Sequence, residues 1–205
     1  MIISFKKKTA RLMRLVRGGF IKLFFRESGE RVFIGKRTTL RYGAHISIGN
    51  NVTINDYVEL NVESTSGVIM GNNINIGKFS IIKSDFNGPK TGMTIGDNFG
   101  CGENCYFGCA GGIKIGNDVI MGQNVRFHAQ NHNFDRIDIP IREQGTNQLG
   151  IIIEDDCWIG AGTVVLDGVT IGKGSVIGAN SLVNKDVASY SVAVGNPVKV
   201  VRSRI

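Results

Sequence analysis

Proline is nearly absent from this chain, with three residues in 205, while tryptophan occurs once and histidine three times. Scarce proline beside twenty-eight glycines excludes a collagen-like triplet and proline-rich disorder, and points to tight backbone turns repeated through an ordered fold. Long apolar runs are missing as well; none approaches the roughly 20 residues that span a bilayer. Cysteine is limited to Cys101, Cys105, Cys109 and Cys157. The opening stretch MIISFKKKTARLMRLVRGGF scatters charges among its apolar residues and holds no small-residue cleavage site. That pattern argues for a chain kept in the reducing cytoplasm, with free thiols acting as small hydrophobes. The C-x3-C-x3-C spacing departs from the C-x2-C pairs of zinc sites, and no metal is expected.

Excess charge is confined to one end. Eight cations between Lys6 and Arg26, against Glu27 and Glu30, carry +6 of the net +7, which leaves about +1 for everything after residue 30. A main body so nearly neutral gives no footprint for nucleic acid. The segment FKKKTARLMRLVRGGFIKLFF mixes Leu12, Leu15, Val16, Phe20, Leu23 and Phe24 with these cations and is broken by Gly18-Gly19. A basic amphipathic helix of this kind either lies on an anionic membrane surface, at the inner face of the cytoplasmic membrane, or packs as a cap over the open edge of the fold behind it.

What the chain has in quantity is a six-residue repeat. It runs as IGKRTT at Ile34 and LRYGAH at Leu40, slips by two residues, and continues through IGNNVT at Ile48, IGKFSI at Ile76, IGDNFG at Ile95, CGENCY at Cys101, FGCAGG at Phe107 and MGQNVR at Met121. It returns with IEDDCW at Ile153 and ends with VNKDVA at Val183. Six is a multiple of the strand period of two but not of the helical 3.6. Each hexad therefore reads as a short strand and a turn, with one aliphatic and one small side chain directed inward. Three hexads close a triangular coil, and coils stack like on like into a parallel β-solenoid. Glycine suits the corners, where positive φ or crowding excludes a Cβ.

Two segments leave the period. Asn87 to Gly92 reads as a corner loop. Residues 132–150, HNFDRIDIPIREQGTNQLG, form a longer excursion whose Phe134, Ile137, Ile139, Pro140 and Ile141 are apolar anchors for a loop that covers a substrate. His132 stands where regularity ends. On the residues alone it either caps the coil through a hydrogen bond or serves as a base fixed by the solenoid and covered by the loop. His128 reads as a solvent-facing strand residue and His45 as a surface one. Trp158 follows the inward Cys157, so it points outward and needs a ligand arm or a neighbouring subunit to cover it.

The tandem [IV]-G-x-x-[STV]-x hexads from about residue 34 to residue 202 resemble the hexapeptide-repeat acyltransferase superfamily. The stretch DDCWIGAGTVVLDGVTIGKGSVIGANSLVNKDVASYSVAVGNPVKVVR, from Asp155 to Arg202, is similar to the ending of its sugar O-acetyltransferase branch, which includes maltose and galactoside acetyltransferases. The resemblance implies an all-β, left-handed parallel β-helix over residues 31–205, with a protruding loop at 132–150, a C-terminal tail at 188–205 and a basic N-terminal segment at 1–30. It implies acetyl-CoA as co-substrate, a sugar hydroxyl as acceptor, and a homotrimer in which a cleft between two chains holds the site.

The same resemblance makes His132 the general base, since the family's catalytic histidine ends a hexad at the root of such a loop. A neutral imidazole near an acceptor hydroxyl typically contributes 10²- to 10⁴-fold in rate, and Asp135 or Glu143 would orient it. Gly160 and Ala161 match the stretch that approaches the thioester, and Trp158 the tryptophan beside the cleft. Coenzyme contacts carry over to Ala161, Ala179, Asn184, Lys185, Lys199 and Arg202. Asn184 stands where the family usually has threonine and offers an amide in place of a hydroxyl. Gly108 and Cys109 stand near the position of the sugar enzymes' acceptor-binding asparagine, which argues against a simple maltose or galactoside acceptor. With the basic segment replacing the family's short helical domain, the sequence also resembles the O-acetyltransferases of capsule and lipopolysaccharide synthesis, whose acceptor can be lipid-linked. Rival readings are a streptogramin- or chloramphenicol-type xenobiotic acetyltransferase, a zinc carbonic anhydrase on the same solenoid, and a non-catalytic scaffold.

Overall fold

The computed structural model describes residues 2–84 and 91–205. The corner turn expected at Asn87 to Gly92 lies, up to Lys90, outside them. The repeat winds into a left-handed parallel β-helix of about seven coils. Its first face carries seven strands, from Glu27–Ser28 through Ile113–Ile115 and Ile151–Ile153 to Thr170–Ile171. The second runs from Phe33–Ile34 through Ile120–Met121, Trp158–Ile159 and Val176–Ile177 to Ser191–Val194 and Lys199–Ser203. The third runs from Thr39–Arg41 through Tyr106–Gly108, Arg126–His128 and Val164–Leu166 to Leu182–Val183.

Register explains the period. Leu60, Ile82, Phe107, Phe127 and Val165 pair rung upon rung along the third face, and all five are fully buried. Ile48, Met70, Ile95, Ile115 and Ile153 do the same on the first. Every hexad-leading residue is buried except the half-buried Leu40 of the first coil. All four cysteines are free and buried in this stack, Cys109 included.

The hexad glycines arise from crowding rather than from positive φ. A Cβ on Gly122 would sit 2.5 Å from Ala161 N, and one on Gly160 would sit 2.5 Å from Ala179 N, closer than real Cβ atoms come. The left-handed corner conformation is shared by glycine, as at Gly162, Gly168 and Gly174, and by asparagine and aspartate, among them Asn51, Asn73, Asn98, Asp118, Asn124 and Asn180, whose short polar side chains tolerate it. They also link the coils: Asn51 Nδ2 donates to Asn73, Asn73 to Asn98 and Asn98 to Asp118 at 2.8–2.9 Å.

Both ends depart from the sequence reading. The helix α1, Ile2–Ile21, packs against the first coil, and the solenoid starts at Glu27–Ser28, inside the segment assigned to the N-terminal appendage. The Gly18 backbone approaches so closely that a Cβ would lie 1.9 Å from Val32 O. Arg17 Nε donates to Ile34 O at 3.0 Å, which satisfies a carbonyl on the open edge of the second face. At the other end residues 188–205 are not a free tail. Ser191–Val194 extends the second face in parallel, and Lys199–Ser203 folds back on it antiparallel.

Candidate active site

The fifth coil leaves the repeat after Arg126–His128 and rejoins it at Ile151. Its excursion is a hairpin: Asn131–His132 pairs antiparallel with Thr146–Asn147, with His132 opposite Thr146. His132 is therefore not the last residue of a coil but the second rung, after Asn131–Asn147, of an arm that leaves the corner between the third and first faces. Gln144 holds the arm's bend, accepting from Arg136 N at 3.0 Å and donating to Arg136 O at 2.7 Å, and Arg136 pairs with Asp138. Asp167 of the next coil pins the returning end through Leu149 N and Gly150 N at 2.7–3.0 Å. The expected apolar anchors do not anchor it. Phe134, Ile137 and Ile141 are exposed, because polar bonds shape the arm and leave its apolar side chains without cover from this chain.

The His132 side chain is exposed, and neither Asp135 nor Glu143, both on the arm and both exposed, bonds to it within the described residues. The WIGAG stretch lies one corner away. Trp158 stands outward on the second face, 53% exposed, between Ile120 and Val176 in register. Behind it the corner between the second and third faces holds a groove of about 410 Å³ lined by Gln123, Asn124, Arg126, Ala161, Gly162, Ala179 and Asn180. Gly160 N–H is already given to Ile177 O at 2.8 Å. The Ala161 N–H has no backbone acceptor among the described residues, so of the two expected donors Ala161 is the one free to meet an oxyanion.

A single chain does not gather all the expected residues. It brings Trp158, Gly160, Ala161 and Ala179 to one edge. His132 stands on the next corner, across a three-residue strand of the third face, roughly 10 Å at 3.3 Å per residue. Asn184 and Lys185, just after Leu182–Val183, share the corner of His132 two coils on. Lys199 and Arg202 lie on the outermost strand of the second face, opposite Val194 and Val192.

Sequence reasoning missed Gln123, Asn124, Arg126 and Asn180 in the groove. The signal was present in the hexad alignment, which puts Asn124, Gly162 and Asn180 in one column of left-handed corner residues. It also missed Tyr106. Gly108 pairs in register with His128, and a Cβ there would meet Tyr106 Cε1 at 3.0 Å, so the bare glycine makes room for the tyrosine ring. That ring lies tilted against His128 at 5.4 Å. Cys109 points into the core instead. Partial burial, and then the charge of Arg126, hold the His128 pKa below the ordinary imidazole value. Arg126→Ala is expected to raise it toward that value without reaching it, since burial remains; an NMR titration of the ring protons reads this, and an unmoved midpoint rejects the Arg126 contribution.

Among the described residues no three His, Cys, Asp or Glu side chains converge on a point that could hold a metal ion, and no helix is long and apolar enough to cross a membrane. Residues 150–185 match the bacterial transferase hexapeptide (six repeats) family. The chain is similar to a putative acetyltransferase of Schizosaccharomyces pombe, 44% identical over 109 residues, which is 53% of this chain and 51% of that protein. A putative acetyltransferase of Staphylococcus aureus is 46% identical over 113 residues, 54% of each. The chain thus spans about half the length of these curated relatives. Solved structures share this fold. AntD, an N-acyltransferase from Bacillus cereus in complex with dTDP and 3-hydroxybutyryl-CoA, aligns at TM-score 0.61 and 23% identity over 92% of this chain and 88% of that one. A maltose O-acetyltransferase from Clostridium difficile aligns at 0.54 and 23% over 98% and 84%.

Proposed function

We propose that this chain is an acetyl-CoA-dependent O-acetyltransferase that acts on a hydroxyl of a sugar and works as a homotrimer. One observation supports the reading: the candidate residues stand on two different edges of one solenoid. His132 and its arm, with Lys185 on the same corner, form one half. Trp158, the free Ala161 N–H and the groove beside it form the other. Side-by-side solenoids would bring the corner of one chain against the second face of the next and complete a site in the seam. The uncovered Phe134, Ile137 and Ile141 of the arm and the exposed Trp158 are the apolar surface such a seam would bury.

In that seam His132 would take the proton of the acceptor hydroxyl as it attacks the thioester carbonyl, then pass it to the departing thiolate of the coenzyme. Asp135 and Glu143 are the carboxylates the arm offers to the other ring nitrogen. The Ala161 N–H, already in place on a stiff corner, would meet the oxyanion without reorganising. Lys185, Lys199 and Arg202 would receive the coenzyme phosphates, with Ala179 and Asn184 along its arm. AntD, an N-acyltransferase, is solved with 3-hydroxybutyryl-CoA and, as a variant, with dTDP-4-amino-4,6-dideoxyglucose, which supports a coenzyme and a sugar-type acceptor here. A surface-polysaccharide acceptor, lipid-linked where the chain meets a bilayer, fits the filled acceptor slot at Gly108 and Tyr106.

The test is an acetyl-transfer screen against nucleotide-activated and oligomeric sugars, with wild type and His132→Ala side by side. Transfer absent from the wild type, or unchanged in the variant, rejects the reading. Lys185→Glu is expected to raise KM for acetyl-CoA several-fold with kcat little changed, because a phosphate contact far from the reacting carbonyl is made equally in ground and transition states; an unmoved KM removes Lys185 from the coenzyme site.

A further inference from the structure

Helix α1 is built the wrong way round for a cap that only stabilises. A helix docked on a protein body normally turns its apolar stripe inward and its charges outward. Here the charged side faces the solenoid. Arg14 bonds Asn55 at 2.9 Å and Asp56 at 3.1 Å, Arg17 takes the edge carbonyl of Ile34, and Arg11 sits 5.3 Å over the Phe33 ring. The opposite side presents Leu12, Met13, Val16, Phe20, Leu23 and Phe24, each between 52% and 75% exposed. At 100° per residue the helical members of this set fall on one continuous stripe directly opposite Gly18, which the 3-10 turn Lys22–Phe24 prolongs with Phe24. The stripe is an unpartnered apolar surface carried on the most cationic segment of the chain.

We propose that the outward stripe of α1 and the following turn dock the protein on the surface of an anionic lipid bilayer. Charge chooses this occupant over a second copy of the chain. Residues 1–30 hold +6 of the net +7, so pairing two such stripes would set like charge against like, whereas an anionic leaflet attracts them. Lys8 is exposed on the flank of the helix. Between the helix and the solenoid Arg11 and Arg14, with Phe33, Asn51 and Thr53, line a groove of about 390 Å³, on the side away from the stripe. The apolar stripe would enter the boundary between headgroups and acyl chains by roughly 5–10 Å, as interfacial helices do. The same helix thus binds the edge of the solenoid with its arginines and lipid with its other side. The inference does not rest on acetyl transfer, and its test uses no acetyl donor.

The full chain is floated with vesicles of phosphatidylcholine alone and of phosphatidylcholine with about a quarter phosphatidylglycerol. The wild type is expected to bind the anionic vesicles at least tenfold more tightly than the neutral ones. The triple variant V16Q/F20Q/L23Q keeps good helix formers at exposed positions and is expected to lose at least tenfold of that binding, with helicity and elution volume unchanged. Met13→Gln with Leu12→Gln provides a second pair should the triple variant fold poorly. Wild type that stays free of anionic vesicles, or variants that float like wild type, would overturn the proposal. So would variants that change the oligomeric state, since the stripe would then be a subunit contact.

Discussion

His132→Ala should lower kcat/KM for acetyl transfer by about 10²- to 10⁴-fold while leaving the binding of acetyl-CoA nearly intact. The first expectation follows from the chemistry of the acceptor. A sugar hydroxyl is scarcely ionised at neutral pH, so removing the base removes proton transfer from the transition state but leaves positioning and the Ala161 donor in place. The second follows from geometry. His132 stands on a hairpin arm whose bend is held by Gln144 and whose return is held by Asp167, and no described side chain depends on its ring. The fold should therefore tolerate the loss. A variant that transfers acetyl at the wild-type rate would end the claim that this imidazole is the base; a variant that loses coenzyme binding as well would mean the ring has a structural duty that the single chain does not display.

Phe127→Ala should destabilise the chain by about 3–5 kcal/mol, the usual cost of removing a fully enclosed aromatic side chain. Phe127 is fully buried, stacks in register between Phe107 and Val165, and meets Phe107 edge-on at 5.5 Å. The coil around it cannot shrink to fill the hole, because the coils above and below fix its perimeter through continuous hydrogen-bonded ladders. In a fold where each coil touches only its neighbours, the damage should also be local. Amide exchange is expected to quicken in the coils spanning about residues 93–169, the root of the His132 arm among them, and much less near Ile54 or Ile177. A urea midpoint shift worth less than about 1 kcal/mol would show that the site collapses after all.

Most of the architecture could be read from the chain because one rule is applied many times. The hexad leaders from Ile34 to Val183 sit inside, and the outward position of Trp158 follows from parity with Cys157. Both reasons expected for glycine apply, crowding at Gly122 and Gly160 and positive φ at Gly162, Gly168 and Gly174, while asparagine also takes left-handed corners. The two features hardest to read were ones the repeat does not encode. The arm's apolar residues were expected to be anchors, yet periodicity says nothing of an excursion shaped by Gln144 and Asp167. Tyr106 was invisible as a site residue because its effect depends on a bare glycine two positions on and a histidine one coil away. The roles proposed for His132, Ala161 and Lys185 rest on resemblance, and geometry adds that these residues occupy two edges of one solenoid.

The two ends of the second face have a joint consequence. A stack of parallel strands normally leaves unmated amides at one extremity and unmated carbonyls at the other, an invitation for identical molecules to add end to end into fibres. Here an arginine from α1 plugs the first extremity, and the strand Lys199–Ser203 doubles back across the last. With longitudinal growth blocked on that side, copies of this molecule are left to meet flank to flank, the direction in which a small closed ring can form.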